Sequence, residues 1–267
     1  MEKGLVSIVM LSHNQGQYVE ETVRSVIRQT YKNWELIVVD DSSSSDDTVS
    51  KLMTLKEEGL WKKNDGVVVE RINVSQRVFH RKEKDYINTT LSNSHGKWIA
   101  FLNVGDVWLP DKLEKQISFM EAHDHAFSYT QYHLMDANSD DRGFLISGKE
   151  YVTHQDMLKC CWPAYLTVMY DAEKVGLMRI RSPWTNYYAL WLNVSDCVDC
   201  HLVPENLAIL RTRCNKLGRI LLSNNFKWRY DAFRIEENNG RFISLCYTIR
   251  NMWYGLVKWH KYVKRYK

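Results

Sequence analysis

Two corners of this 267-residue chain concentrate groups able to do chemistry. Asp40 and Asp41 stand together directly after the apolar run Trp34–Val39. Asp106 closes the sequence Asn103, Val104, Gly105, Asp106, which follows a second apolar run, Trp98–Leu102. Adjacent carboxylates repel one another and suit a core poorly, so a pair at the end of a buried strand needs a partner. A carboxylate only accepts hydrogen bonds, which fits it to a base N–H or to ribose hydroxyls, and it also ligates hard divalent cations. The plainer reading of Asp40 and Asp41 is a solvated turn capping the next helix. A third polar corner, Ser12-His13-Asn14, follows the run Leu5–Leu11.

The elements that must hold these corners follow from periodicity. Leu5–Leu11, Trp34–Val39, Gly66–Ile72 and Trp98–Leu102 are nearly all apolar, which predicts strands buried on both faces. Between them, Val19, Val23, Val26 and Ile27 predict a helix over Tyr18–Tyr31. The serines at 42–45 are N-cap candidates for a helix over Asp46–Met53, and a weaker helix spans Asp85–Ser94. Behind Pro110, the helical spacing of Leu113, Ile117 and Met120 predicts another. Strands alternating with helices indicate a doubly wound, mostly parallel α/β sheet, whose ligands gather at the carboxyl ends of its strands. The second half is looser. Ala126–Met135 and Tyr165–Tyr170 read as strands, Asn138–Gly148 as polar loop, Tyr151–Cys160 as a short helix and Trp184–Val194 as an aromatic helix. Val198–Arg211 reads as strand, turn at Pro204, strand.

Composition excludes several classes. With 45% hydrophobic residues the chain can bury one large core. No run approaches the roughly 18–20 apolar residues of a membrane-spanning helix, and the N-terminal residues run into a strand without a cleavage site, so a cytoplasmic protein is expected. Six cysteines do not make a disulfide scaffold at this length. Cys160-Cys161 and Cys197-x-x-Cys200 lack the second pair or histidines of a zinc site and read as buried reduced thiols. The net charge is +4, but seven basic residues and no acidic one follow Glu237, which leaves the first 237 residues slightly acidic. That excludes a general nucleic-acid binder. No Ser-His-Asp ordering or phosphate-cradling glycine loop supports a hydrolase or kinase.

In the basic tail, Phe242, Leu245, Ile249, Met252, Leu256, Trp259 and Val263 alternate spacings of three and four, an apolar seam with the basic residues largely off it. Three readings stand: packing on the chain's own domain, lying on an anionic membrane through residues 240–267, or a homodimer seam. Tryptophan and tyrosine beside lysine favour the membrane over the dimer.

Ser7–Asn14, Tyr18–Tyr31, Glu35–Asp41 and Thr48, continued by Asn88, Gly96, Phe101-Leu102 and Trp108–Gln116, resemble in order and spacing the N-terminal signature of family 2 glycosyltransferases. The likeness is strong over Leu5–Glu121 and weaker over Trp162–Arg213. It implies a GT-A fold with a C-terminal helical appendage, and inverting transfer from a nucleoside diphosphate sugar, UDP-linked first among them. The acceptor would be a glycan or lipid-linked sugar of cell-surface polysaccharide synthesis. By matched position, Leu11, Ser12, His13, Asp40 and Asp41 would hold the nucleobase and ribose. Asn88 and Asn103 would lie by the sugar or diphosphate.

The resemblance also marks departures. The family corner is usually Asp-x-Asp-Asp, and here Asn103 and Gly105 replace two carboxylates. Asp106 alone is left to hold Mg²⁺ or Mn²⁺, weakly. The family's Glu-Asp pair with its general base falls on Asn186 and Tyr187, neither a base near neutral pH. Its Arg-x-His falls on Arg211-Thr212-Arg213. One reading is a transferase in which Arg213 replaces the metal, beside Asp106, with the base elsewhere, Asp196 and Asp171 being the candidates. The rival is a non-catalytic relative that binds nucleotide, glycan or a partner enzyme, and a general nucleotide-binding protein is a third. The expected organisation is a transferase domain over 1–215 (nucleotide-sugar half 1–122, acceptor half 123–215) and an appendage over 216–267.

Overall fold

The computed structural model describes residues 1–40, 45–55, 83–181, 187–212 and 226–266. The first half builds β1 (Glu2–Ser12), α1 (Gly16–Ile27), β2 (Trp34–Asp40), α2 (Thr48–Leu55), α3 (Glu83–Ser92), β3 (Gly96–Asn103), β4 (Val107–Trp108) and α4 (Lys112–Ala122). The second adds β5 (Phe127–Met135), β6 (Asp141–Ile146), β7 (Tyr151–Val152), α5 (His154–Lys159), β8 (Met169–Asp171), the short α6 (Ala172–Val175), α7 (Tyr187–Cys197) and β9 (Cys200–Arg211). The chain then forms α8 (Phe226–Asp231), the long α9 (Arg241–Tyr262) and β10 (Val263–Arg265). The strand expected over Gly66–Ile72 lies outside the described residues.

One sheet runs in the order β10-β6-β5-β8-β3-β1-β2, with β9 joined to β4, β5 and β7. Its centre is parallel, β1 lying between β2 and β3, and β8 enters antiparallel between β3 and β5. The buried strands present both faces to core. Val6, Ile8, Met10, Leu36 and Trp98 meet α1 and α4 through Val19, Val23, Leu113 and Ile117. Val9, Ile99 and Phe101 face the other side with Ile87, Leu91 and the α7 residues Leu190 and Trp191. Continuous apolar runs become central strands for this reason: either face left to water would expose what the opposite layer buries. At the start of β3, Gly96 passes so close to β1 that a Cβ there would stand 2.6 Å from the Leu5 carbonyl oxygen.

Three expectations need correction. Asn138–Gly148 is not only loop, because Asp141–Ile146 forms β6, antiparallel to β5. Tyr165–Tyr170 is not one strand: Tyr165–Thr167 is a 3-10 turn, and only Met169–Asp171 is extended. Pro204 does not turn the chain. β9 runs through it, and its register against β5 slips between Val203 and Asn206, absorbing the residue that lacks an N–H.

The C-terminal helix reverses the expected seating. α9 turns Ser244, Thr248 and Asn251 inward; of its apolar seam Phe242 is 77% and Ile249 57% exposed, Leu245 and Leu256 are exposed as well, and Met252, Trp259 and Val263 are half-buried. The surface beneath is mixed: Tyr247 packs on Phe233 and Tyr262 on Trp162, and polar groups meet between them. Asn251 Nδ2 donates to Tyr188 Oη at 2.8 Å, Arg229 Nε donates to Asn251 Oδ1 at 2.9 Å, and Lys258 Nζ reaches the Trp162 and Cys161 carbonyls at 2.6 and 3.0 Å. β10 then pairs antiparallel with β6, so the chain re-enters the sheet at its edge. Phe242, Leu245, Ile249 and Leu256 of the seam are therefore not packed on the described residues of the chain's own domain.

Candidate nucleotide site

The carboxyl ends of β1, β2 and β3 stand side by side. Ser12 pairs with Asp40 in register, and Leu11 pairs with both Val39 and Asn103. These are the strand ends where an open α/β sheet binds its ligand. Ser12 is buried, and its Oγ has no hydrogen-bond partner among the described residues, an orphaned hydroxyl at the crevice floor. Asp40 is half-buried at the mouth, and His13 is exposed beside it with Asn14 Nδ2 at 3.3 Å from its Nε2. Asn14, at φ +50°, accepts the Ser45 N–H at 2.9 Å and so ties the first corner to the chain beyond β2. Asp46 takes the Gly16 N–H at 2.7 Å and the Thr48 hydroxyl. Burial works to raise its carboxyl, but those hydrogen bonds prevail and hold it below the usual carboxylate range. Asp41 lies outside the described residues.

The β3 corner is a braced turn. Gly105 adopts φ +105°, a conformation that L side chains rarely take. Its N–H donates to Thr22 Oγ1 at 2.9 Å, and that hydroxyl donates to the Asp106 carbonyl at 2.9 Å. Arg211, from the end of β9, completes the brace. Its backbone N–H donates to Asp106 Oδ1 at 3.0 Å and its Nε to the Gly105 carbonyl at 2.8 Å. The guanidinium also donates to the Asp136 carbonyl and Ser139 Oγ, pairs with Glu21 and lies 4.4 Å over the Tyr18 ring. Arg211, Thr22 and Tyr18 are therefore the residues that sequence reading missed. The only signal was the first arginine of Arg211-Thr212-Arg213.

Asp106 is buried, and one oxygen is committed to Arg211. Gly105 stands beside it and a buried guanidinium is bonded to the same turn, so among the described residues Asp106 is the one carboxylate of this corner, where a Mg²⁺ site usually takes one or two carboxylates with waters and substrate phosphates. Among the described residues no group of three histidine, cysteine or acidic side chains could hold a metal ion. Among the described residues Asp106 alone makes a weak donor set for Mg²⁺ or Mn²⁺. Cys160 and Cys161 are likewise free thiols, and burial pushes the Cys161 thiol up to about 12.

The remaining candidates separate. Asn103 is half-buried at the corner, its carbonyl accepting the Asp106 N–H at 3.1 Å. Asn88 engages both backbone groups of Ile180 with its side-chain amide, at 2.9 Å each, which ties α3 to that segment. Tyr187 opens α7 in an aromatic cluster, 5.3 Å from the Tyr165 ring and 6.0 Å from Trp191, with Phe101 beneath. Asn186 and Arg213 lie outside the described residues. Neither alternative base is placed to act. Asp171 pairs with Trp98 at the far end of β3, roughly 16 Å from Asn103 along the strand. There it caps α6, accepting the Glu173 N–H at 2.9 Å, and pairs with Lys97. Asp196 sits near the C-terminal end of α7, about 13 Å along the helix from Tyr187.

A Ser195–His154–Glu237 chain does exist, with His154 Nδ1 3.0 Å from Ser195 Oγ and Nε2 3.2 Å from Glu237. Ser195 is buried and its hydroxyl donates back to the Leu192 carbonyl, so the chain links elements and offers no nucleophile.

The sequence model described as "Glycosyl transferase family 2" matches residues 7–161. TuaG of Bacillus subtilis, named for teichuronic acid biosynthesis, is 35% identical over 193 residues, 72% of each chain. The Escherichia coli protein WfgD is 30% identical over 227 residues, 85% of this chain and 83% of its own. It is named a UDP-Glc:α-D-GlcNAc-diphosphoundecaprenol β-1,3-glucosyltransferase. Among solved structures, S. aureus TarS residues 1–349 in complex with UDP-GlcNAc superposes with a TM-score of 0.65 at 13% identity, over 91% of this chain and 71% of that one. That likeness is one of fold, and the fold is GT-A.

Proposed function

This chain belongs to glycosyl transferase family 2, and we propose that it moves a sugar from a UDP-sugar to a lipid-linked sugar acceptor in cell-surface polysaccharide synthesis. The observation that carries the reading is WfgD, matched over most of both chains and named for a UDP-glucose donor and a diphosphoundecaprenol-linked acceptor. The crevice at β1, β2 and β3 agrees with it. Ser12 brings a buried hydroxyl without a partner and Asp40 a carboxylate, the two kinds of group that read ribose and base.

In this reading the residues act by holding and by charge. Asp40 and Asp41 accept from the nucleoside, and the Ser12 hydroxyl closes the floor beneath it. Thr22 and Arg211 fix the turn at Gly105 against which the diphosphate rests. The charge that builds on the departing diphosphate is met by Arg213, a cation that does not depend on a metal supply. Arg211 is too fully engaged for that part. Tyr187 stands at the acceptor side as an aromatic surface for a sugar ring.

The test is an assay of purified protein with a panel of UDP-sugars and a diphosphoundecaprenol-linked N-acetylglucosamine acceptor, read by mass spectrometry of the lipid product. One added hexose is expected. Gly105 in place of a carboxylate favours one rival, a relative that binds nucleotide or glycan without transfer. UDP binding with no product from any donor would establish that rival, and absence of UDP binding would overturn both.

A further inference from the structure

α9 is held by its polar side and displays its apolar side. At about 100° per residue, Phe242, Leu245, Ile249, Trp253 and Leu256 fall within roughly a quarter of the helix circumference, far round from the Ser244–Thr248–Asn251 line. All five are exposed. The helix runs 22 residues, about 33 Å, and is fixed along its length: Asn251 on Tyr188, Lys258 on two carbonyls, and β10 in the sheet. A fixed, exposed apolar stripe of this length marks a docking surface.

The charge around it selects the occupant. Arg241, Lys261, Lys264 and Arg265 are exposed in and just after α9, and no acidic residue follows Glu237. A second copy of this helix would bring like charges together, whereas an anionic surface would neutralise them. Trp253, within the stripe, and Tyr254, exposed on the next flank, are side chains that favour a membrane–water boundary. No helix among the described residues is long and apolar enough to cross a bilayer, so the fitting mode is lying along it. The helix also sits on the acceptor side. Its Asn251 bonds Tyr188, next to Tyr187 at the start of α7.

We propose that the Phe242–Leu256 face of α9 docks in the surface of an anionic lipid bilayer and sets the opening beside α7 against the leaflet that carries the acceptor. The docking stands on the helix itself, and only the acceptor clause rests on the proposed lipid-linked substrate. The full chain is tested by co-sedimentation with vesicles of equal phosphatidylglycerol and phosphatidylcholine, and with phosphatidylcholine alone. Wild type should bind the anionic vesicles, at least about tenfold more weakly the neutral ones, and less at high salt. The Ile249→Glu/Trp253→Glu variant changes two exposed side chains. It should keep its circular dichroism and UDP affinity while vesicle binding drops about tenfold or more. Failure of wild type to bind anionic vesicles, or undiminished binding by the variant, overturns the docking. So does a wild-type dimer in ultracentrifugation that the variant dissolves, since a second copy then covers the face. Transfer to a water-soluble acceptor analogue separates the two readings: transfer without vesicle binding sinks the docking alone, and vesicle binding without transfer sinks the activity alone.

Discussion

Replacing Arg211 with methionine keeps an unbranched stem and removes the guanidinium, which isolates the brace under the β3 corner. The cost can be built from its partners. Ala137 and Ser139 are exposed and Glu21 is partly so, so water replaces the arginine there at little expense. The Gly105 carbonyl is buried and loses its donor at 2.8 Å, a cost of about 1–3 kcal/mol. The half-buried Asp136 carbonyl adds about 0.5–1 kcal/mol, and the lost contact over Tyr18 about 0.5–1 kcal/mol. The sum centres near 3.5 kcal/mol, a large share of the roughly 5–15 kcal/mol that holds a domain folded. For a chain of this size it corresponds to a fall in Tm of roughly 7–14 °C. Urea denaturation of both proteins, with UDP calorimetry on the folded fraction, measures the stability loss and the looser corner together. Arg211→Lys should recover less than half, because an ammonium cannot match the fork of contacts. A loss below about 1 kcal/mol, or full rescue by lysine, would refute this account of the corner.

Metal independence is the second expectation: UDP titrations in EDTA and in Mn²⁺ should agree within about twofold, while Arg213→Ala weakens binding by about 1.5–3 kcal/mol. A strong Mn²⁺ requirement with an indifferent Arg213→Ala defeats the cation replacement. The hydrogen bond that His154 Nε2 donates to Glu237 is the chief cause that raises the His154 pKa above 6.5, burial opposing it and Asp196 assisting. This stabilisation is complete below about pH 6.5 and is lost as pH rises through the folded value. Urea midpoints at pH 6 and 8.5 should therefore diverge more in wild type than in His154→Gln. Gly96→Ala drives a Cβ into the β1 backbone and should cost about 3 kcal/mol or more, seen as a lowered Tm or insoluble protein; an unchanged Tm contradicts that close approach. Lys112 is fully buried, its Nζ without a hydrogen-bond partner among the described residues and 3.9 Å over the Trp108 ring, and burial pushes its pKa well down. Stability should rise with pH toward 10.5 as the unfolded lysine approaches its own pKa, and Lys112→Met should flatten that rise and add about 1–2 kcal/mol at neutral pH.

The central sheet was legible because its strands are buried on both faces and write that fact as unbroken apolar runs. Trp34–Val39 and Trp98–Leu102 are strands within a residue or two at each end. β6 was not legible, because Asp141–Ile146 contacts the core on one side only and mixes polar residues with apolar ones. In α9 the seam itself could be read, but periodicity says only that a helix has two faces. Which face turns inward depended on Tyr188 and on free carbonyls at Cys161 and Trp162, supplied by distant sequence. The corner failed for a related reason. Nothing local distinguishes Arg211 from Arg213, and the burial of Arg211 follows from Glu21, Gly105 and Asp136 converging in space.

That convergence has a consequence in time. Glu21 and Arg211 are 190 residues apart, and a ribosome adding about 5–20 residues per second needs roughly 10–40 s to deliver the second after the first. Through that interval the nascent first half carries the Gly105 carbonyl and the Asp106 carboxylate without the donors that β9 brings. The turn after β3 is thus completed only once β9 has been made. Substitutions near the end of β9 should lower the yield of folded protein during synthesis before they alter the behaviour of molecules that have already folded.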